Sequence, residues 1–222
     1  MNKGRLEAFS DGVFAIIITI MVLEMKAPAT DSAATVASLV PLIPTFISYF
    51  LSFVFVGIYW VNHHHLFMAS REVNGSVLWA NLHLLFWLSL FPFTTSWVGQ
   101  THFAPVPVGF YGVAVLLAAA SWDILRRTLI RHHGDQSLLG VSVGRGVKEW
   151  TSTGLSTLGI AAAFLLPGHL SSGESGLFDR ATYGSLVAFV LYCGVLAMWL
   201  APDCRIEDRM KKPAHSPPAA GE

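Results

Sequence analysis

Six apolar stretches, each close to membrane-spanning length, constrain this chain more than any other feature; they cover about residues 6–26, 41–62, 77–98, 106–127, 149–167 and 181–200. A helix needs roughly 20 apolar residues to cross the hydrocarbon core of a bilayer. Composition agrees: 53% of residues are hydrophobic, only 13% are charged and the mean hydropathy is +0.55, whereas a soluble domain carries about 25% charge. The fold class is therefore all-α, an integral membrane protein with six transmembrane helices. Helix-stopping residues separate the stretches, among them Pro28, Asn74-Gly75, Pro105 with Pro107, and Gly168. No stretch is left over for a soluble domain, so residues 1–201 read as one transmembrane unit. Residues 202–222 are Pro-rich and polar and read as a disordered tail.

The charges then orient the helices. Lys3 and Arg5, Arg71, the group Arg126, Arg127, Arg131, Arg145 and Lys148, and Arg205, Arg209, Lys211 and Lys212 all fall on one side of a six-span layout. Only Lys26 and Arg180 fall opposite. That asymmetry places both termini in the cytoplasm and the protein in the cell inner (plasma) membrane as a multi-pass protein surrounded by lipid. A net charge of +0 offers no basic excess for nucleic acid. Cys193 and Cys204 are too few and too badly placed for a disulfide framework. A secretory signal peptide ending near Ala27-Pro28-Ala29 competes for the first stretch, but Glu7 and Asp11 interrupt its basic region and Glu24 and Lys26 its cleavage site.

Asp11, at the start of the first apolar helix, is expensive there unless it is paired. At 100° per residue Ile16, Thr19, Ile20 and Leu23 share one face, and Asp11 projects nearly opposite. Candidate partners at the same depth are Trp60, Asn62, His63, His64 and His65 at the end of the second stretch, and Asn81 and His83 at the start of the third. Ser10 and Arg5 are placed to complete a hydrogen-bonded knot joining the first three helices. Three consecutive His residues diverge by 100° each and lack the i, i+4 spacing of helical zinc ligands, so no metal site is expected. His132 and His133 belong to the solvated headgroup zone. Asp123, followed by Arg126 and Arg127, reads as an interfacial anchor or ion pair. Signatures of hydrolase, nucleotide, redox and zinc-protease sites are absent, which argues against an enzyme. Pro92 interrupts the third stretch, and broken helices build transporter sites, which keeps a proton- or cation-coupled secondary transporter using Asp11 as the alternative function.

Arg5-x-x-x-Phe9-Ser10-Asp11-Gly12, followed by the apolar run from Val13 to Leu23, resembles the signature of the bacterial homologues of the endolysosomal potassium channel family called transmembrane protein 175. Trp60-Val61-Asn62-His63-His64, Asn81 and Pro92-Phe93 resemble that family's second and third helices. The resemblance implies a passive, modestly potassium-selective cation channel without a cofactor, K+ being the permeant ion. It implies that the first helix lines the pore, with a constriction of Ile16, Ile20 and Leu23 and a selectivity layer at Thr19. Arg5, Phe9, Ser10 and Asp11, with Trp60, Asn62, His63, His64 and Asn81, would brace that helix from behind. The signature occurs once in this chain, so a closed pore implies a homotetramer. No T-V-G-Y-G filter is present to replace an ion's hydration shell with carbonyls.

Overall fold

The computed structural model describes residues 3–28, 35–70, 72–133, 147–166, 168 and 180–200. Arg71, Arg145, Cys204 and the tail from residue 202 lie outside the described residues. The elements are α1 (Lys3–Leu23), a 3-10 segment (Val36–Leu42), α2 (Ile43–Met68), α3 (Gly75–Leu88), α4 (Phe91–Gln100), α5 (Pro105–His133), α6 (Val147–Leu165) and α7 (Tyr183–Leu200). Among the described residues, five helical segments are long and apolar enough to cross a membrane: 3–23, 36–68, 75–100, 105–132 and 183–200. This is a multi-pass membrane protein. α6 is the remaining expected span; its first half carries Lys148, Glu149, Thr151, Ser152 and Thr153, which lowers its hydropathy.

Several helices run further than their apolar stretches, and each extension has a side-chain cause. α1 starts at Lys3, where the ammonium lies 3.8 Å from Glu7 one turn on and donates to the Ser70 carbonyl at 3.0 Å. α2 continues to Met68 because polar His63 is buried and hydrogen-bonded rather than released to water. α5 continues to His133 because Asp123 pairs with Arg126 and Arg127 at i+3 and i+4, both at 2.6 Å. The third span is broken as Pro92 implies: α3 ends at Leu88 and α4 begins at Phe91 with the proline in its first turn. Pro92 has no N–H to donate to the Leu88 carbonyl, so the ladder is interrupted there. The break carries no charged side chain; Ser89 donates back to the Phe86 carbonyl at 2.7 Å.

α5 is central, packing on α3, α4, α6 and α7, while α1 lies against α2, α3 and α4. The closest helix pairs depend on small residues, as expected where lipid removes the usual hydrophobic drive between helices. A Cβ on Gly184 would stand 2.1 Å from the Ala162 carbonyl oxygen, so α7 meets α6 backbone to side-chain-free backbone. A Cβ on Gly112 of α5 would likewise strike the buried Tyr192 hydroxyl at 1.9 Å. Gly184→Ala is expected to destabilise the protein by about 1–3 kcal/mol through overpacking, read as a lower thermal unfolding midpoint in detergent. Gly194→Ala on the same helix, where nothing lies within 4 Å, should be neutral or slightly stabilising.

Candidate functional site: the first helix and its polar anchor

α1 divides into two faces. Leu6, Ser10, Phe14, Ile17 and Met21 are buried against the rest of the chain. Ile16, Thr19, Ile20 and Leu23 are all exposed, Ile16 at 57% and Leu23 at 76%. The stripe picked out by angle thus lies within the surface of α1 that its own chain leaves uncovered, which also takes in Phe9, Asp11, Gly12, Ala15 and Val22. Ile18, by contrast, is half-buried and packs on the core.

The buried face is held by a directed chain of hydrogen bonds across three helices. Ser10 Oγ donates to the Leu6 carbonyl at 2.9 Å, which commits its proton and leaves it to accept from Asn81 Nδ2 at 2.9 Å. Asn81 Oδ1 therefore faces His63 Nε2 at 2.8 Å, and the imidazole must carry its proton there to donate. His63, Asn81 and Ser10 are all buried. The His63 ring is further enclosed by Phe67, centroids 4.5 Å apart, and by the edge of Phe14 at 5.6 Å. α3 is itself started by Asn74, whose Oδ1 accepts from the Val77 amide at 3.0 Å, and this sets the register that presents Asn81.

Asp11 belongs to a second, exposed arm. Its Oδ1 accepts from Trp60 Nε1 at 2.9 Å, and the Trp60 ring lies near-parallel to His64 with centroids 6.4 Å apart. Among the expected bracing residues, the structure therefore brings together Ser10, Asn81 and His63 in one arm and Asp11, Trp60 and His64 in the other. Asn62 does not face α1; its amide returns to the Ile58 carbonyl at 2.9 Å on its own helix. Arg5 and Phe9 are exposed. His83 accepts from Trp87 Nε1 at 3.0 Å within α3, and His132 meets Asn74 Nδ2 at 3.2 Å.

Two features lay beyond the reach of the sequence. At the far end of α1, Glu24 Oε2 accepts from Ser96 Oγ at 3.2 Å, and Gln100 Nε2 donates to that same hydroxyl at 2.7 Å, so α4 holds the α1 terminus. Arg126 reaches from α5 to Glu149 of α6 at 3.2 Å as well as to Asp123. Neither pair has a diagnostic spacing; only the i, i+3 and i, i+4 contacts of Asp123 were visible as a pattern. Thr19 adds a third detail, since its hydroxyl donates back to the Ala15 and Ile16 carbonyls at 3.0 Å, which turns the oxygen lone pairs outward from the helix.

Removing Asn81 strands both Ser10 and His63 in the interior, and each orphaned group costs about 1–3 kcal/mol. Asn81→Leu should lower the thermal unfolding midpoint strongly. Trp60→Phe, which removes one donor at an exposed edge, should cost no more than about 1.5 kcal/mol. Equal midpoints for Asn81→Leu and the parent protein would contradict the anchor.

Comparison with known proteins places this arrangement. Residues 5–92, which contain every residue of both arms, match the family described as endosomal/lysosomal potassium channel TMEM175. A potassium channel of Chryseobacterium sp. is 48% identical over 212 residues, covering 96% of this chain and 100% of the relative. The human endosomal/lysosomal proton channel TMEM175 is 27% identical over 236 residues; these cover 99% of this chain but 46% of the human protein. Among solved structures, the lysosomal potassium-selective channel TMEM175 homolog from Chamaesiphon minutus aligns with a TM-score of 0.67 and 27% identity, covering 90% of this chain and 98% of that one. The matched family and these relatives are channels, not enzymes. With a relative that similar along its whole length, and with the family's region falling on α1 and its anchor, this chain belongs to the TMEM175 family.

Proposed function

We propose that the chain is a passive, potassium-preferring cation channel of modest selectivity, built as a homotetramer around copies of α1, with K+ as permeant ion and no cofactor. The observation that carries this reading is the division of α1 into an anchored face and an uncovered one. A helix bolted from behind by buried hydrogen bonds presents Ile16, Thr19, Ile20 and Leu23 at a fixed angle, which a pore-lining helix requires. One copy cannot enclose a pore, and a heterologous interface that closes gives a ring. In that ring Ile16, Ile20 and Leu23 form the constriction, a narrow apolar neck in which water loses hydrogen bonds and which closes by dewetting. Thr19 supplies the polar layer, its outward lone pairs available to a partly dehydrated cation.

The reading includes six spans, with α6 crossing the membrane against α5 and α7 and with both termini in the cytoplasm, as the Lys and Arg distribution supports. Residues 1–201 form the channel unit in the plasma membrane, and 202–222 form a cytoplasmic tail. The anchor residues Ser10, Asn81 and His63, with Asp11, Trp60 and His64, position α1 without touching the ion.

Ile16→Asn should raise single-channel conductance in a reconstituted bilayer and lower the preference for potassium over sodium, because a hydrated neck no longer forces the smaller ion to shed water. Thr19→Val should weaken the preference while the neck stays apolar. Ile18→Thr, about 160° away on the wheel, should leave conduction nearly unchanged. Equal effects at Ile16 and Ile18 would overturn this rotation of α1.

A further inference from the structure

A cavity of about 370 Å³ opens between α2, α5, α6 and α7, away from α1 and its anchor. Its polarity changes in the same sense along α2, α5 and α7. On these three walls the deep part is apolar, formed by Phe55, Val115 and Val195, with Ser156 of α6 beside them, and the rim is polar and charged, with Asn62, Arg127 and Glu149. Such a gradient fits a molecule with an apolar end pointing toward the membrane interior and a polar end at the water boundary. Trp150 and Trp199, with Arg127, place the rim at that boundary, where indole and guanidinium side chains collect. Ile124 and Trp150, both exposed, line its open side and make the opening apolar.

The rim holds an alternating charge cluster. Arg126 donates to Asp123 at 2.6 Å and to Glu149 at 3.2 Å, and Arg127 donates to Asp123 at 2.6 Å. Two cations and two carboxylates balance. Arg126 is spent on the two carboxylates and its Nε is closed off from the cavity. The Arg127 side chain, 57% exposed, has N–H groups beyond its Asp123 contact open at the rim, and a phosphate oxygen is the acceptor that guanidinium groups fit best. A purely anionic headgroup would place its charge beside the Asp123 and Glu149 carboxylates, which repel it. A headgroup carrying an ammonium next to its phosphate keeps the balance, because the ammonium N–H groups donate to a carboxylate. A choline headgroup has no N–H to give.

We propose that this cavity is a binding site for a phospholipid with a phosphoethanolamine headgroup, its phosphate on Arg127, its ammonium on Glu149, whose second carboxylate oxygen is free of Arg126, and an acyl chain along the apolar wall. The inference rests on the membrane placement of the protein and not on its conducting potassium, so binding is read without any current.

The test is native mass spectrometry of the full-length protein released from phosphatidylcholine nanodiscs doped with equal mole fractions of phosphatidylethanolamine and phosphatidylglycerol. Phosphatidylethanolamine should be retained about tenfold over either other lipid, the ratio expected for one extra charge-assisted hydrogen bond. Glu149→Gln should remove that preference while leaving total lipid retention similar. Ala119→Phe, which fills the apolar wall without touching the cluster, should lower retention of all three lipids; unchanged elution on size exclusion confirms that each variant is folded. Equal or greater retention of phosphatidylglycerol, or an ethanolamine preference that survives Glu149→Gln, would overturn the proposal, as would full retention by Ala119→Phe.

Discussion

The structure depends on one constraint above the others: a polar group taken into a membrane bundle must find its partner inside the bundle. Ser10, Asn81 and His63 meet that constraint with a single directed chain of hydrogen bonds running from α2 through α3 to α1. Each link uses up the one proton or lone pair that the next link would otherwise contest, so the three helices have one mutual rotation that satisfies all of them. Apolar packing alone is weakly specific about rotation, because one greasy face substitutes for another at small cost. The polar chain supplies the missing specificity.

From that rotation follows the exposure of the opposite face. With Ser10, Phe14, Ile17 and Met21 turned inward, Ile16, Thr19, Ile20 and Leu23 are left without cover from their own chain. The far end is fixed separately by Glu24 on Ser96, so α1 is held at both ends and along one side. The proline break between α3 and α4 contributes to this arrangement. α3 delivers Asn81 to one end of α1, and α4, redirected at Pro92, delivers Ser96 and Gln100 to the other.

Much of this was legible in the residues, for identifiable reasons. The spans show because lipid imposes a length on them, and the α1 stripe shows because a straight helix has a fixed angular period. The Asp123 ion pairs show because i+3 and i+4 neighbours share a face. Partner choice across helices was not legible. Asn62 and His63 are adjacent and equally polar, yet one turns back to Ile58 and the other reaches Asn81. Which of them faces α3 depends on the rotation of α2, which no local pattern encodes. The Arg126–Glu149 contact joins helices whose connecting residues carry no pairing signal, so the cavity beside it was invisible from sequence.

The central claim is that the uncovered face of α1 looks onto an ion path shared between copies of the chain. A cryo-electron microscopy map of the protein assembled in lipid nanodiscs tests it most directly, by the position of Ile16 relative to the symmetry axis. The account expects four copies with α1 innermost, the Ile16, Ile20 and Leu23 side chains converging on the axis, and Asp11 behind them on Trp60. A map in which α1 lies at the perimeter, with Ile16 against the acyl chains of the surrounding lipid, would contradict it.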